Sequence, residues 1–134
     1  MVDSVTPARR SEMMSRVRSK DTLPEMTVRR MLHKAGYRYR LHVPELPGKP
    51  DLVFVGRRKI ILVHGCFWHM HEGCRRGRIP GSRIEFWTAK LHANRERDKR
   101  NLVELKRMGW KVLTVWECQL GDAKLFARLR RFLE

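Results

Sequence analysis

The sequence predicts an α/β fold, a sheet with helices packed on it. Three observations carry the prediction. Short apolar runs with strand character are separated by longer segments of helical periodicity. Their order is helix, three strands, long helix, strand, helix, which is a layered α/β pattern. At 134 residues, with no internal repeat and no long linker, residues 21–134 read as one domain with one modest core.

The elements follow in chain order. Residues 1–20 are polar and carry Arg9, Arg10, Arg16, Arg18 and Lys20, so they read as a basic arm with a short helix around 11–18. In Thr22-Leu23-Pro24-Glu25, Thr22 suits an N-cap, Pro24 a first turn, and Glu25 the far end of a capping box. Met26, Met31, Leu32 and Ala35 give that helix an apolar face, and Gly36 stops it. Residues 37–43 alternate as a strand does, and residues 44–50 form a tight, proline-rich connection. Residues 51–55 read as a buried strand, Gly56-Arg57-Arg58 as a hairpin turn, and residues 59–64 as the next strand. After a cysteine- and histidine-rich segment and a basic loop at 75–83, residues 84–108 make a long helix. Its ends are apolar and its middle, 92–101, is almost wholly polar, as on a solvated face. Gly109 ends it; residues 110–116 form a strand and residues 122–133 a final amphipathic helix.

Composition narrows the function. Thirty Lys+Arg against fourteen Asp+Glu leave a net charge of +16, which repels itself unless a polyanion neutralises it. Together with the aromatics, this charge makes nucleic acid the leading partner. No segment approaches the ~18 apolar residues that span a bilayer. The first fifteen residues lack the apolar stretch of a signal peptide, so a cytoplasmic location with no membrane partner is expected. Three cysteines in a reducing compartment argue against a disulfide framework and leave metal ligation or buried thiols.

The chemistry concentrates in Val63-His64-Gly65-Cys66-Phe67-Trp68-His69-Met70-His71-Glu72-Gly73-Cys74. Cys66, Cys74 and Cys118, with His69 or His71, would complete the tetrahedral Cys₃His set that Zn²⁺ favours; spacing does not choose between the histidines. Such a closed site is structural, and the alternative is three buried apolar thiols. Asp51 opens a strand directly after a proline turn, where it either caps the turn or faces a site edge. Mg²⁺ prefers one or two carboxylates, and Glu25 is a second candidate, acting through water, unless its role is helix capping. His64 and His69 flank Cys66-Phe67-Trp68, and histidine serves as base or leaving-group partner at neutral pH. Phe67, Trp68 and Trp87 are either core aromatics or side chains that wedge between base pairs. Met13 and Met14 in the arm pose the same question. Together these features suggest a nuclease.

HGCFWH at 64–69, with His71 and Cys74 beyond it, then EFW at 85–87, N-x-x-R-D at 94–98, G-W-x-V at 109–112 and V-W-E-C at 115–118, resembles the very short patch repair (Vsr) DNA mismatch endonucleases. LPGKPD at 46–51 is similar to that family's LPG-x-PD segment, and the likeness runs from about Arg10 to Leu120. The resemblance implies a restriction-endonuclease-like core, a mixed sheet flanked by helices, with a structural zinc site and a basic N-terminal helical arm. It implies Mg²⁺-dependent nicking of one strand, 5′ to the thymine of a T:G mismatch left by 5-methylcytosine deamination, as the first step of repair. Carried over by residue, Asp51 and the Val63 carbonyl would hold Mg²⁺, and Glu25 would hold a water beside it. His69 would be the general base, with His64 near the scissile phosphate. Cys66, His71, Cys74 and Cys118 would hold zinc. Phe67, Trp68 and Trp87 would form the wedge, Met14 would approach from the opposite groove, and Lys90 and Asn94 would touch DNA. Val63 stands where some members carry threonine, and the 70–74 segment has fewer histidines than some members. The expected partners are mismatched duplex DNA and other repair proteins, for a monomer acting at the nucleoid. Two rivals are a restriction-type endonuclease on matched DNA and a non-catalytic, zinc-stabilised DNA-binding module.

Overall fold

The computed structural model describes residues 21–134; the expected arm at 1–20, with Met14, lies outside the described residues. Thr22 caps helix α1, Leu23–Lys34, its side chain accepting from the Glu25 N–H at 3.3 Å. The reciprocal half of the capping box is displaced by one residue: the Glu25 carboxylate accepts from the Asp21 N–H, at 3.2 Å, and not from Thr22. The chain leaves α1 through Ala35 and then Gly36, whose φ of 100° suits a residue without Cβ.

Strands β1 (Arg40–Leu41), β2 (Leu52–Phe54), β3 (Lys59–His64) and β4 (Lys111–Trp116) form one four-stranded sheet in that order. β1–β2 and β2–β3 are antiparallel; β3–β4 is parallel, pairing from Lys59 with Lys111 through His64 with Trp116. A parallel pair needs a crossover, and helix α2, Ile84–Arg107, supplies it. Helix α3, Leu125–Leu133, closes the chain. The result is a mixed sheet with helices, as expected.

β1 and β2 are shorter than the strands expected at 37–43 and 51–55. His42 takes a φ of 46° directly after Leu41, which turns the chain out of the ladder after one further bond, His42 N–H to the Asp51 carbonyl at 3.2 Å. After Phe54 the chain tightens into a 3₁₀ turn, Val55–Arg57, closed by Arg58 at φ 56°. The last helix also starts late, because the Asp122 side chain accepts from the Lys124 N–H and holds a turn in front of it.

β3 is buried on both faces, which is why it reads as an unbroken apolar run. Ile61 and Val63 pack with Val28 and Leu32 of α1 and Leu125, Leu129 and Leu133 of α3. Ile60 packs the other way, with Val53, Leu105 and Trp110. Full burial of each such side chain contributes about 1.5–3 kcal/mol, so the two clusters fix the sheet between helical layers. Among the described residues no helix is long and apolar enough to cross a membrane.

Candidate active site

β3 and β4 end side by side, so the chain turns at residues 65–74 directly above the parallel pair. Cys66, His71 and Cys74 of that turn meet Cys118, from the 3₁₀ turn after β4, with their ligand atoms within 4.8 Å of one another. His71 Nδ1 lies 3.6 Å from Cys66 Sγ and 3.4 Å from Cys118 Sγ. A tetrahedral Zn²⁺ with bonds of about 2.3 Å to sulfur and 2.0 Å to nitrogen sets that edge at roughly 3.5 Å, so the donor set fits zinc. The cysteines are free thiols. Burial pushes the Cys66 thiol up to about 12, whereas a backbone N–H at Arg76 pulls Cys74 down. A cation would hold both as thiolates. Gly77 is part of this packing: a Cβ there would stand 2.4 Å from the His71 carbonyl oxygen.

The acidic residues occupy the opposite side of β3. Asp51 Oδ2 accepts from the Val63 N–H at 2.8 Å. Burial, then the neighbouring negative charge of Glu25, push the Asp51 carboxyl up to about 7; the Val63 N–H works against this. Glu25 is 1% exposed. Its Oε2 accepts from His42 Nε2 at 2.7 Å and from Arg29 at 3.3 Å. A buried Glu25 and a half-buried Asp51 that repel each other are mutually unfavourable until a cation joins them, which is the condition a divalent ion such as Mg²⁺ satisfies.

One residue beyond Val63, His64 stacks on His69 with centroids 3.8 Å apart and planes within 6°. Burial, then the adjacent His69, push the His64 imidazole down to about 3, so it stays neutral. His69 Nδ1 lies 2.5 Å from Asp98 Oδ2 on α2. A carboxylate can only accept, so Nδ1 carries a proton, and in the neutral ring Nε2 then offers its lone pair. The polar middle of α2 is therefore not simply a solvated face, since Asp98 points into the site. The sequence reading gave Asp98 no role, although it closes the N-x-x-R-D segment; nothing local links it to a histidine 29 residues earlier. His42, Arg29 and Trp116 were also passed over. Trp116 lies face to face with His71 at 4.1 Å and edge-on to His64 at 5.2 Å.

The aromatics form one cluster beside these histidines. Phe67 is 5.1 Å from Trp68 and 5.3 Å from Trp87, and Trp68 is 6.0 Å from Trp87, all edge-on. Trp87 is buried, so it backs the cluster from beneath; Phe67 and Trp68 are half-buried. Asn94 donates to the Trp68 carbonyl at 3.3 Å, and the Lys90 ammonium lies 5.6 Å from the Trp68 ring. Both residues thus contact Trp68. Phe86, on the exposed side of Trp87, extends the cluster and was not singled out from sequence.

Comparison with known proteins shows which family this chain is similar to. The family described as DNA mismatch endonuclease Vsr matches residues 2–76. The type II nicking enzyme V.XorIIP of Xanthomonas oryzae pv. oryzae is 52% identical over 135 residues, covering 100% of this chain and 98% of that protein. The type II nicking enzyme V.NmeAIP of Neisseria meningitidis is 43% identical, covering 91% of this chain and 86% of that protein. The DNA mismatch endonuclease Vsr of Escherichia coli is 41% identical over 126 residues, 93% of this chain and 80% of that protein.

Proposed function

Because the chain belongs to the Vsr family of DNA mismatch endonucleases and is a DNA endonuclease, we propose that it nicks one strand of duplex DNA, 5′ to the thymine of a T:G mismatch. One observation carries the reading. The Val63–His64 step of β3 has the Asp51 carboxylate on one side, with Glu25 behind it, and the stacked, Asp98-oriented histidines on the other. A phosphodiester placed there meets a cation site and a general base at once.

Asp51, with the Val63 carbonyl, would hold Mg²⁺, which when bound offsets the charge that develops on the phosphate. The remaining steps fall to the chain's own groups. As the water oxygen bonds to phosphorus and the phosphorus–oxygen bond to the leaving strand breaks, His69 Nε2 takes the proton of the attacking water and solvent protonates the leaving oxygen, while Asp98 holds the imidazole in the required tautomer and stabilises the imidazolium that forms. His64, neutral and half-buried, offers a hydrogen bond to the scissile phosphate. Glu25 holds a water beside Asp51. Cys66, His71, Cys74 and Cys118 would hold Zn²⁺, whose chemistry here is structural: it ties the 65–74 turn to the end of β4.

Selectivity follows from the aromatic cluster. Lys and Arg contacts to phosphate act on any sequence. Phe67 and Trp68, backed by Trp87 and held by Lys90 and Asn94, wedge open the step at the mismatch. Unstacking costs a few kcal/mol, and less at a pair that is already mispaired. The enzyme acts as a monomer in the cytoplasm, at the nucleoid, with the basic arm at 1–20 gripping the duplex and Met14 entering the opposite groove. Residues 21–134 form the one endonuclease domain. Other repair proteins then act on the nicked strand.

The test is incubation of purified protein and Mg²⁺ with end-labelled duplexes that differ only in T:G or T:A. Nicking confined to the T strand of the T:G duplex is expected. Cleavage of both strands of the T:A duplex would replace this reading with a restriction-type nuclease. Binding without cleavage of either would leave a DNA-binding module.

A further inference from the structure

A carboxylate that is 1% exposed has to be held by donors, and one of the residues that hold Glu25, His42, also reaches Asp51. Glu25 has about four acceptor positions. The Asp21 N–H fills one on Oε1, and Arg29 and His42 fill two on Oε2. Among the described residues, one position on Oε1 is left, enough for a water. Arg29 is fixed in turn by the Asp21 carboxylate at 2.7 Å.

His42 has two attachments. Its ring donates to Glu25 Oε2 at 2.7 Å, and its backbone N–H donates to the carbonyl of Asp51 at 3.2 Å. One residue therefore sets where the helix-borne carboxylate stands relative to the strand-borne one. Both His42 and Asp21 hold left-handed backbone conformations, φ 46° and 55°, that side chains with a Cβ seldom adopt.

The cluster of Asp21, Glu25 and His42 is close enough to suggest a cation site of its own. The Arg29 guanidinium rules this out, since it lies on both carboxylates, at 2.7 Å from Asp21 and 3.3 Å from Glu25. The cation belongs on the Asp51 side, and this cluster lies behind it.

We infer that His42 and Arg29 are positioning residues: they clamp the Glu25 carboxylate beside Asp51 and so set the affinity of the Asp51 centre for a divalent cation. The inference rests on the proposal that Asp51 anchors that cation. Partners one step removed from a metal ligand typically change affinity by about 10–100-fold.

The experiment measures Mn²⁺ binding to the DNA-free, full-length protein, from the electron paramagnetic resonance signal of free Mn²⁺ at one fixed pH. Wild type, His42→Ala, His42→Gln and Asp51→Asn are compared, each with its melting temperature with and without Mn²⁺. His42→Ala should raise the dissociation constant about tenfold or more. His42→Gln, which keeps an N–H within reach of Glu25, should recover most of that loss. The stabilisation that Mn²⁺ confers should shrink in His42→Ala, whereas a merely structural role would lower the melting temperature equally with and without Mn²⁺. Wild-type affinity in His42→Ala, or no recovery in His42→Gln, overturns the clamp. If Asp51→Asn binds Mn²⁺ as tightly as wild type, it is the Asp51 centre itself that fails.

Discussion

Asp51→Asn should make the cation-free protein more stable above neutral pH while it abolishes nicking. The wild-type carboxyl is pushed from its ordinary 3.8 to about 7, by burial first and by Glu25 second. Below the unfolded value both states are protonated, and the shift has no effect on stability. Between 3.8 and about 7 the unfolded chain ionises while the folded one resists, so stability falls as pH rises. Above about 7 the loss is complete. At about 1.4 kcal/mol for each pK unit, it amounts to at most roughly 4 kcal/mol.

Asparagine stays neutral at every pH, keeps an oxygen for the Val63 N–H, and turns a donor toward Glu25. The variant should therefore match wild type near pH ~4 and exceed it by roughly 2–4 kcal/mol near pH ~8. Urea unfolding at the two pH values measures this, without chelator, so that the zinc proposed at the cysteines is not stripped. Saturating Mg²⁺ should then reverse the order: at a hundred times its Kd it adds about 2.7 kcal/mol to wild type and nothing to the variant. A variant less stable than wild type at the higher pH, or a difference that does not change with pH, would refute the reasoning.

Other substitutions separate the parts of the site. His69→Ala should lower the single-turnover nicking rate by about 10²–10⁴-fold, with zinc content and DNA affinity unchanged; loss of zinc alongside activity would place His69 in the cysteine loop instead. Asp98→Asn should leave the fold intact and reduce turnover, not DNA binding, because the amide can satisfy His69 Nδ1 in the wrong tautomer; an unchanged rate would remove Asp98 from catalysis. Gly77→Ala should destabilise the protein by about 1–3 kcal/mol and reduce its zinc per chain, because the new methyl meets the His71 carbonyl; full zinc by elemental analysis would contradict this. Trp68→Ala should lower the ratio of T:G to T:A binding constants at fixed salt before it lowers general affinity; an unchanged ratio would return Trp68 to the core.

How far the sequence could be read depended on the range of the physics at each position. β3 and α2 were legible because burial on two faces, and apolar ends on a long helix, are written in consecutive residues. The ends of β1 and β2 were not, because one left-handed residue and one tight turn close them early, and no periodicity announces either. Spacing left His69 and His71 equivalent, and the resemblance alone assigned His71 to the cysteines. The two residues differ in what they face: Trp116 and the thiols for His71, Asp98 for His69. Glu25 had two readings, cap or acid, and its atoms divide between them. Its N–H takes part in the helix cap, while one carboxylate oxygen reaches Asp21 and the other His42 and Arg29. Contacts that cross from β1 to α1, or from the turn to α2, have no local signature.

The turn at 65–74 explains why two kinds of centre sit together. It carries Phe67, Trp68 and His69, yet it is neither helix nor strand, and a segment held only by its own turns does not position side chains closely. A reacting group needs placement within about 0.5 Å. Three tethers supply this. Asn94 holds the Trp68 carbonyl, Asp98 holds the His69 ring, and the cysteines with His71 close the loop onto the end of β4. Two of the tethers come from α2, and the third from the strand that α2 delivers beside β3. Trp116 then joins them, flat against His71 and edge-on to His64. Removing the proposed zinc would therefore loosen Phe67, Trp68 and His69 together while leaving Asp51 and Glu25 in place, since those are held by Val63, His42 and Arg29. Chelation of the zinc should thus abolish nicking before it abolishes divalent-cation binding at Asp51, and the two losses should be separable on one preparation.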